Sequence, residues 1–200
     1  MDEYFSEKLK LFNLNKDNGS SVVMIDDEYG KRIAELNSNV KCISLKNEDA
    51  DYFCTSYSIN SFGLAGTLAW DSETLDFESK LIGSFNLENL ILAASIAIEL
   101  NISAQSIAKG IENCTNIDGR LHLVENQKNQ MIFLDYAHSP DAYFRTLKAL
   151  EENFSRPLKV LFGAGGGRDK SKRPKMAEVV EKYSIECYLA PDNPRFEDIE

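Results

Sequence analysis

The segment after residue 130 most constrains the fold, because apolar runs and helical runs alternate there at short, regular intervals. The pattern predicts strands at Met131 to Leu134, Leu158 to Phe162 and Ile185 to Ala190, and helices at Asp141 to Asn153 and about Pro174 to Tyr183. This β-α-β-α-β order is typical of a parallel sheet whose crossover helices cover its faces. The sequence therefore predicts an α/β fold here.

The residues before position 120 predict a second α/β unit of different composition. Helices are expected at residues 2–12, 28–36, 87–100 and 103–114, and strands at 21–25, 40–45, 51–59, 61–70 and 74–77. The last three strands alternate or cluster β-forming residues, which predicts an antiparallel excursion of the sheet. We place the domain boundary so that residues 1–122 and 123–200 form separate domains.

Composition narrows the class of protein. The 200 residues include 43% hydrophobic residues, enough for a core, and carry a net charge of −10, which disfavours non-specific nucleic-acid binding. The longest apolar stretch, Leu90 to Ile98, is about half the ~20 residues that a membrane helix requires. Four scattered cysteines and two histidines predict neither a disulfide framework nor a Cys/His metal cage. A cytoplasmic protein without membrane insertion is expected.

A glycine-rich loop, F-G-A-G-G-G-R-D-K-S-K-R-P at residues 162–174, joins a predicted strand to a predicted helix. Its glycines allow backbone amides to approach a ligand, and the N-terminus of the helix favours an anion. Five basic residues lie between Arg168 and Lys175. The loop lacks the G-K-[ST] ending of a Walker A sequence. Its glycines and its cluster of basic residues predict a site for a small anionic ligand. The alternative is a flexible loop with solvated lysines.

The sequence D-Y-A-H-S-P-D, at residues 135–141, follows the first strand of the predicted parallel sheet. Ligands of such sheets bind at the carboxyl ends of the strands, where Asp135 would accept hydrogen bonds from ribose hydroxyls. His138 would orient a neighbour or stack on a base. Ser139 and Pro140 have the residue types of an N-cap and a first helical position, so a capping turn is a compatible alternative.

The sequence P-D-N-P-R, at residues 191–195, follows the third strand. Two prolines rigidify this turn, so that Asp192, Asn193 and Arg195 point in fixed directions. The planar guanidinium of Arg195 suits a carboxylate. A plain turn is the alternative, but three polar loops after three successive strands favour one shared site.

Three polar residues upstream give weaker indications. Asn86 and Asn89 lie one helical turn apart at the start of a predicted helix, where an amide can pair with both edges of a purine. Asn86 as a helix N-cap is the alternative. Arg120 lies just before the proposed boundary, where it would reach a phosphate.

Taken in order, these segments resemble the Mur ligases, the ATP-dependent amide ligases of peptidoglycan precursor synthesis. The matching strings are Y-F-S-E-K-L-K-L-F, I-D-D-E-Y-G, G-S-F-N-L-E-N-L-I-L-A-A, D-G-R-L, D-Y-A-H-S-P-D-A, the glycine-rich loop and D-N-P-R. The resemblance is strongest to the members that add meso-2,6-diaminopimelate. It implies that residues 1–122 form the later part of the central ATP-binding domain. Residues 123–200 would then form the first β-α-β-α-β portion of a Rossmann-like C-terminal domain.

The resemblance also implies roles for single residues. The implied ATP-binding set is Asn86, Asn89, Arg120, Asp135 and His138, and the implied diaminopimelate set is Arg168, Asp192, Asn193, Pro194 and Arg195. Arg195 would bind the distal carboxylate that lysine lacks. Lys8 would carry a carbamate whose oxygens help to hold Mg²⁺, or else is an ordinary surface lysine.

The implied reaction uses ATP and Mg²⁺ to join meso-diaminopimelate to UDP-MurNAc-L-Ala-D-Glu through an acyl phosphate. A monomer is implied for the full-length enzyme. The family's P-loop and its uridine-nucleotide domain have no counterpart in these residues. The resemblance therefore implies a fragment that is inactive by itself.

Two other functions are compatible with these motifs. A lysine-adding or folylpolyglutamate-synthase-like ligase would share most of them, although D-N-P-R disfavours both. A non-catalytic module that keeps only the ligand-binding pocket is the second alternative, and the lack of a Walker A sequence favours it.

Overall fold

The computed structural model describes residues 2–14, 19–128 and 130–198. The chain divides into two compact units, Met1–Thr115 and Asn116–Glu200. Both combine helices with β-sheet, as the sequence predicts.

The first unit is built on a five-stranded sheet of order β1-β2-β3-β4-β5. β1, β2 and β3 are parallel neighbours, and β4 and β5 add antiparallel strands, which confirms the predicted excursion. Its elements are α1 (Asp2–Leu9), a 3-10 turn (Phe12–Leu14), β1 (Ser21–Met24), α2 (Glu28–Leu36), β2 (Val40–Ser44), β3 (Tyr52–Asn60), β4 (Gly63–Trp70), β5 (Glu73–Ser79), α3 (Ser84–Glu99) and α4 (Ala104–Asn113).

The core of the first unit lies between this sheet and the two consecutive helices α3 and α4. Helix α3 contacts β1, β2 and β3, whereas α4 contacts β5. Leu87 and Ile91 of α3 are completely buried, as are Ile43 of β2 and Leu68 of β4. Burial of these four side chains, which come from three elements, stabilises the unit by roughly 1.5–3 kcal/mol each.

Within the described residues 116–128 and 130–198, the second unit contains six elements. They are β6 (His122–Leu123), β7 (Phe133–Leu134), α5 (Pro140–Phe154), β8 (Leu158–Phe162), α6 (Lys172–Tyr183) and β9 (Ser184–Leu189). β8 and β9 pair in parallel. Helices α5 and α6 pack together through a buried cluster of Tyr143, Leu147, Met176 and Val180.

The structure corrects the prediction for the first strand of this unit. The sequence predicts a buried strand from Met131 to Leu134 in the parallel sheet, but β7 is two residues long and pairs with β6 in an antiparallel hairpin. Met131 and Leu134 are 43% and 56% exposed. The side chain of Asn126 closes the hairpin: its Nδ2 donates to the Gln130 carbonyl at 2.7 Å and its Oδ1 accepts from the Gln130 amide at 3.1 Å. This local turn pairs β7 with β6.

Helix starts follow the predicted capping chemistry in one place and not in another. Ser139 caps α5 with Pro140 in the first turn, as predicted, and Ser103 caps α4 in the same way. The alternative of Asn86 as an N-cap is wrong, because α3 begins at Ser84 with Gly83 as its cap. Across the described ranges, every helix is too short or too polar to cross a membrane.

Candidate functional site

A cavity of about 420 Å³ opens at the carboxyl ends of β8 and β9 in the second unit. It brings together five residues that the sequence singles out, and lining residues also come from α6. Its main polar lining residues are His138, Arg168, Asp169, Lys172, Arg173, Asp192, Asn193 and Arg195.

The glycine-rich loop after β8 packs directly against the turn after β9. The Gly166 amide donates to the Asn193 carbonyl at 2.8 Å. A Cβ at Gly166 would lie 1.9 Å from the Pro194 carbonyl oxygen, so only glycine allows this approach. A Cβ at Gly163 would similarly lie 2.5 Å from the Ala190 carbonyl oxygen. At these two positions, the absence of a side chain allows the two loops to pack closely.

The turn at residues 191–195 is fixed by its own side chains. Asp192 Oδ1 accepts from the Asn193 amide at 2.7 Å, and Asn193 Oδ1 accepts from the Arg195 amide at 3.2 Å. Arg195 has a φ of +54°, which turns the chain sharply at this residue. Pro194 lines a neighbouring cavity of about 520 Å³ instead.

Two guanidinium groups of the cavity are available to a ligand. Arg168 and Arg195 are exposed, and neither side chain forms an ion pair within residues 130–198. Arg173, by contrast, donates from Nη2 to Glu197 Oε2 at 2.7 Å. Free guanidinium groups beside the carboxylate of Asp192 suit a ligand that carries both carboxylate and ammonium groups.

Tyr143 connects helix α5 to the first glycine of the glycine-rich loop. Its hydroxyl donates to the Gly163 carbonyl at 3.4 Å. Burial raises the pKa of Tyr143, and the negative charges of Asp192 and Asp135 raise it further. The phenol therefore remains a neutral hydrogen-bond donor at physiological pH.

Asp135 and Arg120 are brought together by backbone contacts near the start of the second unit. The Leu121 amide donates to Asp135 Oδ2 at 2.9 Å, which places Arg120 beside the segment that carries Asp135. Arg120 is exposed. His138, whose Nδ1 lies 3.0 Å from the Tyr136 carbonyl oxygen, lines the 420 Å³ cavity.

Asn86 and Asn89 belong to the first unit and differ sharply in burial. Asn86 is completely buried, and its Nδ2 donates to the Ile82 carbonyl at 2.8 Å. Its Oδ1 has no hydrogen-bond partner in the described part of the chain. Asn89 is exposed. An orphaned amide oxygen is the group that a donor of adenine would satisfy.

Lys8 lies exposed on α1, with its Nζ 5.4 Å from the centroid of the Tyr4 ring. In the ranges that the structure describes, no group of three or more His, Cys, Asp or Glu residues is arranged to hold a metal ion. The carbamate on Lys8 and its role as a Mg²⁺ ligand stay predictions.

Sequence reasoning assigned no role to Glu197, which contacts residues of the site. It lies only two positions after Arg195, but an acidic residue after a motif carries no recognisable pattern. The available signal was charge complementarity, since the run from Arg168 to Lys175 needs nearby carboxylates. Lys172 and Arg173 belong to that run, although neither was assigned a role.

Two domains of one protein family match the chain. The Mur ligase middle domain matches residues 1–97, and the Mur ligase glutamate ligase domain matches residues 119–200. A solved UDP-N-acetylmuramoyl-L-alanyl-D-glutamate–2,6-diaminopimelate ligase superposes with a TM-score of 0.64 at 30% identity, covering 98% of this chain and 41% of that one. The folylpolyglutamate synthetase of Lactobacillus casei has a TM-score of 0.73 at 19% identity, over 98% of this chain and 49% of that one, and shows a likeness of fold alone.

Curated proteins with the same diaminopimelate ligase name are similar along the sequence. The one from Nostoc sp. is 33% identical over 99% of this chain and 41% of its own length. The one from Fusobacterium nucleatum is 36% identical over 100% of this chain and 41% of its own length. The chain thus spans about two fifths of the length of these relatives. Because the matches to the middle and glutamate ligase domains follow each other along nearly the whole chain, the chain belongs to the Mur ligase family.

Proposed function

We propose that this chain supplies the amino-acid pocket and part of the ATP site of a ligase that adds meso-diaminopimelate to UDP-MurNAc-L-Ala-D-Glu. Membership of the Mur ligase family supports an ATP-dependent ligase of peptidoglycan synthesis. The names of the curated relatives support diaminopimelate as the incoming amino acid. We further propose a cytoplasmic location and a monomeric full-length enzyme.

The observation that carries this proposal is the 420 Å³ cavity, in which Arg168, Asp192, Asn193 and Arg195 meet. Its volume lies in the range of about 300–1,000 Å³ that small-molecule sites occupy. meso-Diaminopimelate has two carboxylates and two ammonium groups, which match two unpaired guanidinium groups and the Asp192 carboxylate. Lysine lacks the second carboxylate and would leave one guanidinium without a partner.

In the proposed reaction, ATP transfers its γ-phosphoryl group to the D-Glu carboxylate and gives an acyl phosphate and ADP. The amine of diaminopimelate attacks the acyl carbon and phosphate leaves, so that one amide bond forms and one C–O bond breaks. Arg195 would hold the distal carboxylate, which orients the amine and avoids the entropic cost of free encounter. Arg168 would bind the other carboxylate of diaminopimelate, and Arg120 would stabilise negative charge on the ATP phosphates.

The proposed ATP contacts are Asn86 and Asn89 to adenine, Asp135 to ribose and Arg120 to the phosphates, and His138 belongs to the same proposed set. The unpartnered Oδ1 of Asn86 supports the adenine contact, since it would accept from the amino group of the base. Mg²⁺ held by a carbamate on Lys8 belongs to the proposal, but no step described above depends on it.

Titration calorimetry on the 200-residue chain tests the ligand assignment. We expect meso-diaminopimelate to bind at least about tenfold more tightly than L-lysine, because only the former reaches Arg195 with a carboxylate. Arg195→Ala should weaken meso-diaminopimelate binding about ten- to hundredfold through loss of the ion pair. Arg156→Ala is the matched control, because Arg156 is exposed just before β8, at the opposite end of that strand.

Two outcomes contradict the proposal. Equal affinity for lysine and meso-diaminopimelate would favour a lysine-adding ligase or a related enzyme. An Arg195→Ala variant that binds as tightly as the Arg156→Ala control would show that the cavity is not the amino-acid pocket.

A further inference from the structure

Glu197 has no role in the proposed function, yet it contacts both the glycine-rich loop and the turn at residues 191–195. Its Oε1 accepts from the Gly167 amide at 2.9 Å, and its Oε2 accepts from Arg173 Nη2 at 2.7 Å. Lys170 Nζ lies 3.8 Å from Oε1. The hydrogen bond from Arg173 lowers the pKa of Glu197, and the one from the Gly167 amide lowers it further. The side chain is therefore a carboxylate when the cavity binds a ligand at neutral pH.

These contacts connect the chain on both sides of Arg195. The Glu197 amide donates to the Pro194 carbonyl at 3.0 Å, which closes the turn that contains Arg195. Gly167 has a φ of +62°, and a Cβ there would lie 3.4 Å from Arg195 Cδ. The stem of the Arg195 side chain therefore runs beside the backbone that the Glu197 carboxylate holds in place.

Glu197 also determines which cations of the cavity remain free. Its carboxylate neutralises Arg173, whereas Arg168, next to Gly167 in the chain, and Arg195 form no ion pair among the described residues. Without Glu197, Arg173 would join them as a third unpaired guanidinium. The Gly167 amide would also lose its acceptor, and Gly167 is flexible by nature.

We propose that Glu197 is a positioning residue, whose carboxylate fixes the Gly167–Arg168 backbone against the turn at residues 191–195 and thereby sets the affinity for the distal carboxylate of the amino acid. This inference rests on the proposed function for the identity of the ligand. Its physical basis is preorganisation: an arginine held before binding loses less conformational entropy when the carboxylate arrives.

The test compares Glu197→Gln with Glu186→Gln in the full 200-residue chain. Both changes replace a carboxylate by an amide of the same shape, and Glu186 is a partly exposed residue on β9 that pairs with Lys159. In ¹H–¹⁵N spectra of the ligand-free protein, we expect Glu197→Gln to shift the amides of Gly167 and Arg195, while Glu186→Gln leaves both unchanged. In calorimetry, we expect Glu197→Gln to bind meso-diaminopimelate about tenfold more weakly, the effect of one lost charge-assisted hydrogen bond.

Several outcomes would overturn the proposal, and they differ from failure of the proposed function. Unmoved Gly167 and Arg195 amides would show that the carboxylate does not hold the loops. Moved amides with an affinity within about twofold of the wild type would show a structural contact that does not position Arg195. If the wild-type chain binds no meso-diaminopimelate, while Glu197→Gln still shifts the amides of Gly167 and Arg195, then the identity of the ligand is wrong. Both proposals that name meso-diaminopimelate would then be contradicted. If Glu197→Gln does not fold, Glu197→Asp replaces it, with a smaller loss of affinity expected because the charge is kept.

Discussion

Asp135 illustrates how one carboxylate connects three segments of the second unit. Its Oδ1 accepts from the Ala137 amide at 2.9 Å and from Thr146 Oγ1 at 3.2 Å, while its Oδ2 accepts from the Leu121 amide at 2.9 Å. Leu121 is buried with a φ of +47°, a strained conformation for a side chain of this size. Asp135 therefore stabilises a strained residue beside Arg120. Oδ2 keeps acceptor capacity for the proposed ribose contact.

Asp135→Asn should destabilise the protein even without any ligand. The new amide group keeps the shape of the side chain, but its NH₂ faces either the Leu121 amide or the donors on Oδ1, so that two donors oppose each other. We expect the free energy of unfolding to fall by about 1–3 kcal/mol, since the lost bonds are to a charged acceptor. Urea unfolding followed by far-UV circular dichroism measures this change.

Thr146→Val is the matched control for this prediction. It removes only the bond from Thr146 Oγ1, which is the longest of the three, and should cost about 1 kcal/mol or less. An Asp135→Asn variant as stable as the wild type would mean that Asp135 does not hold Leu121, and that its carboxylate serves a ligand alone.

At the scale of elements, helix capping and the pairing of the longer strands could be predicted from the sequence, whereas a short hairpin and a contact between two loops could not. Ser139 and Pro140 begin α5 as predicted, because an N-cap bonds an amide three residues away. The pairing of β7 with β6 was missed, because β6 has only two residues and shows no periodicity. The sequence predicts that Gly166 lets backbone amides approach a ligand, whereas in the structure Gly166 packs against Pro194. This contact was not predicted, because Pro194 is distant in sequence and the contact depends on how two loops meet.

Gly166→Ala should disrupt the contact between the loop after β8 and the turn after β9. The new methyl group would meet the Pro194 carbonyl oxygen at 1.9 Å, and backbone cannot move aside as a flexible side chain can. We expect a loss of about 1–3 kcal/mol in the free energy of unfolding, typical of overpacking. Binding of meso-diaminopimelate should weaken with it, because Arg195 follows Pro194 directly.

Gly165→Ala provides the control within the same loop. A Cβ there meets its nearest atom, Asp192 Oδ2, at 3.4 Å, and Gly165 does not have a positive φ. Its stability should therefore stay within about 0.5 kcal/mol of the wild type. Thermal unfolding of both variants side by side measures the difference. A lower unfolding midpoint for Gly165→Ala than for Gly166→Ala would contradict the prediction.

At the scale of the whole molecule, the charge is distributed unevenly along the chain. Residues 1–100 carry 8 basic and 17 acidic residues, whereas residues 101–200 carry 14 and 15. The five basic residues from Arg168 to Lys175 thus lie in the half that is nearly neutral. Such a distribution favours a small anionic ligand at one site over a polyanion, which the acidic half would repel.

Two carboxylates, one in each unit, make the stability of the folded protein depend on pH in the acidic range. Burial acts to raise the pKa of Asp51, but the hydrogen bonds from Lys41 Nζ and the Cys42 amide, both 2.8 Å long, outweigh it and lower the pKa. The pKa of Glu197 is lowered by Arg173 first and by the Gly167 amide second. Both groups therefore hold their protons less tightly in the folded than in the unfolded protein.

The sign of the pH dependence follows from these two lowered pKa values. The unfolded chain takes up protons near the ordinary values of 3.8 for Asp51 and 4.5 for Glu197, while the folded protein resists protonation until the pH is lower. Stability from both groups is present above those values and is lost as the pH falls through and below them. Urea unfolding at a series of pH values between about 6 and about 3 should therefore show a falling free energy of unfolding. The double variant Asp51→Asn, Glu197→Gln should be less stable at neutral pH, and its free energy of unfolding should decline less steeply as the pH falls. A decline as steep as that of the wild type would exclude these two carboxylates as its source.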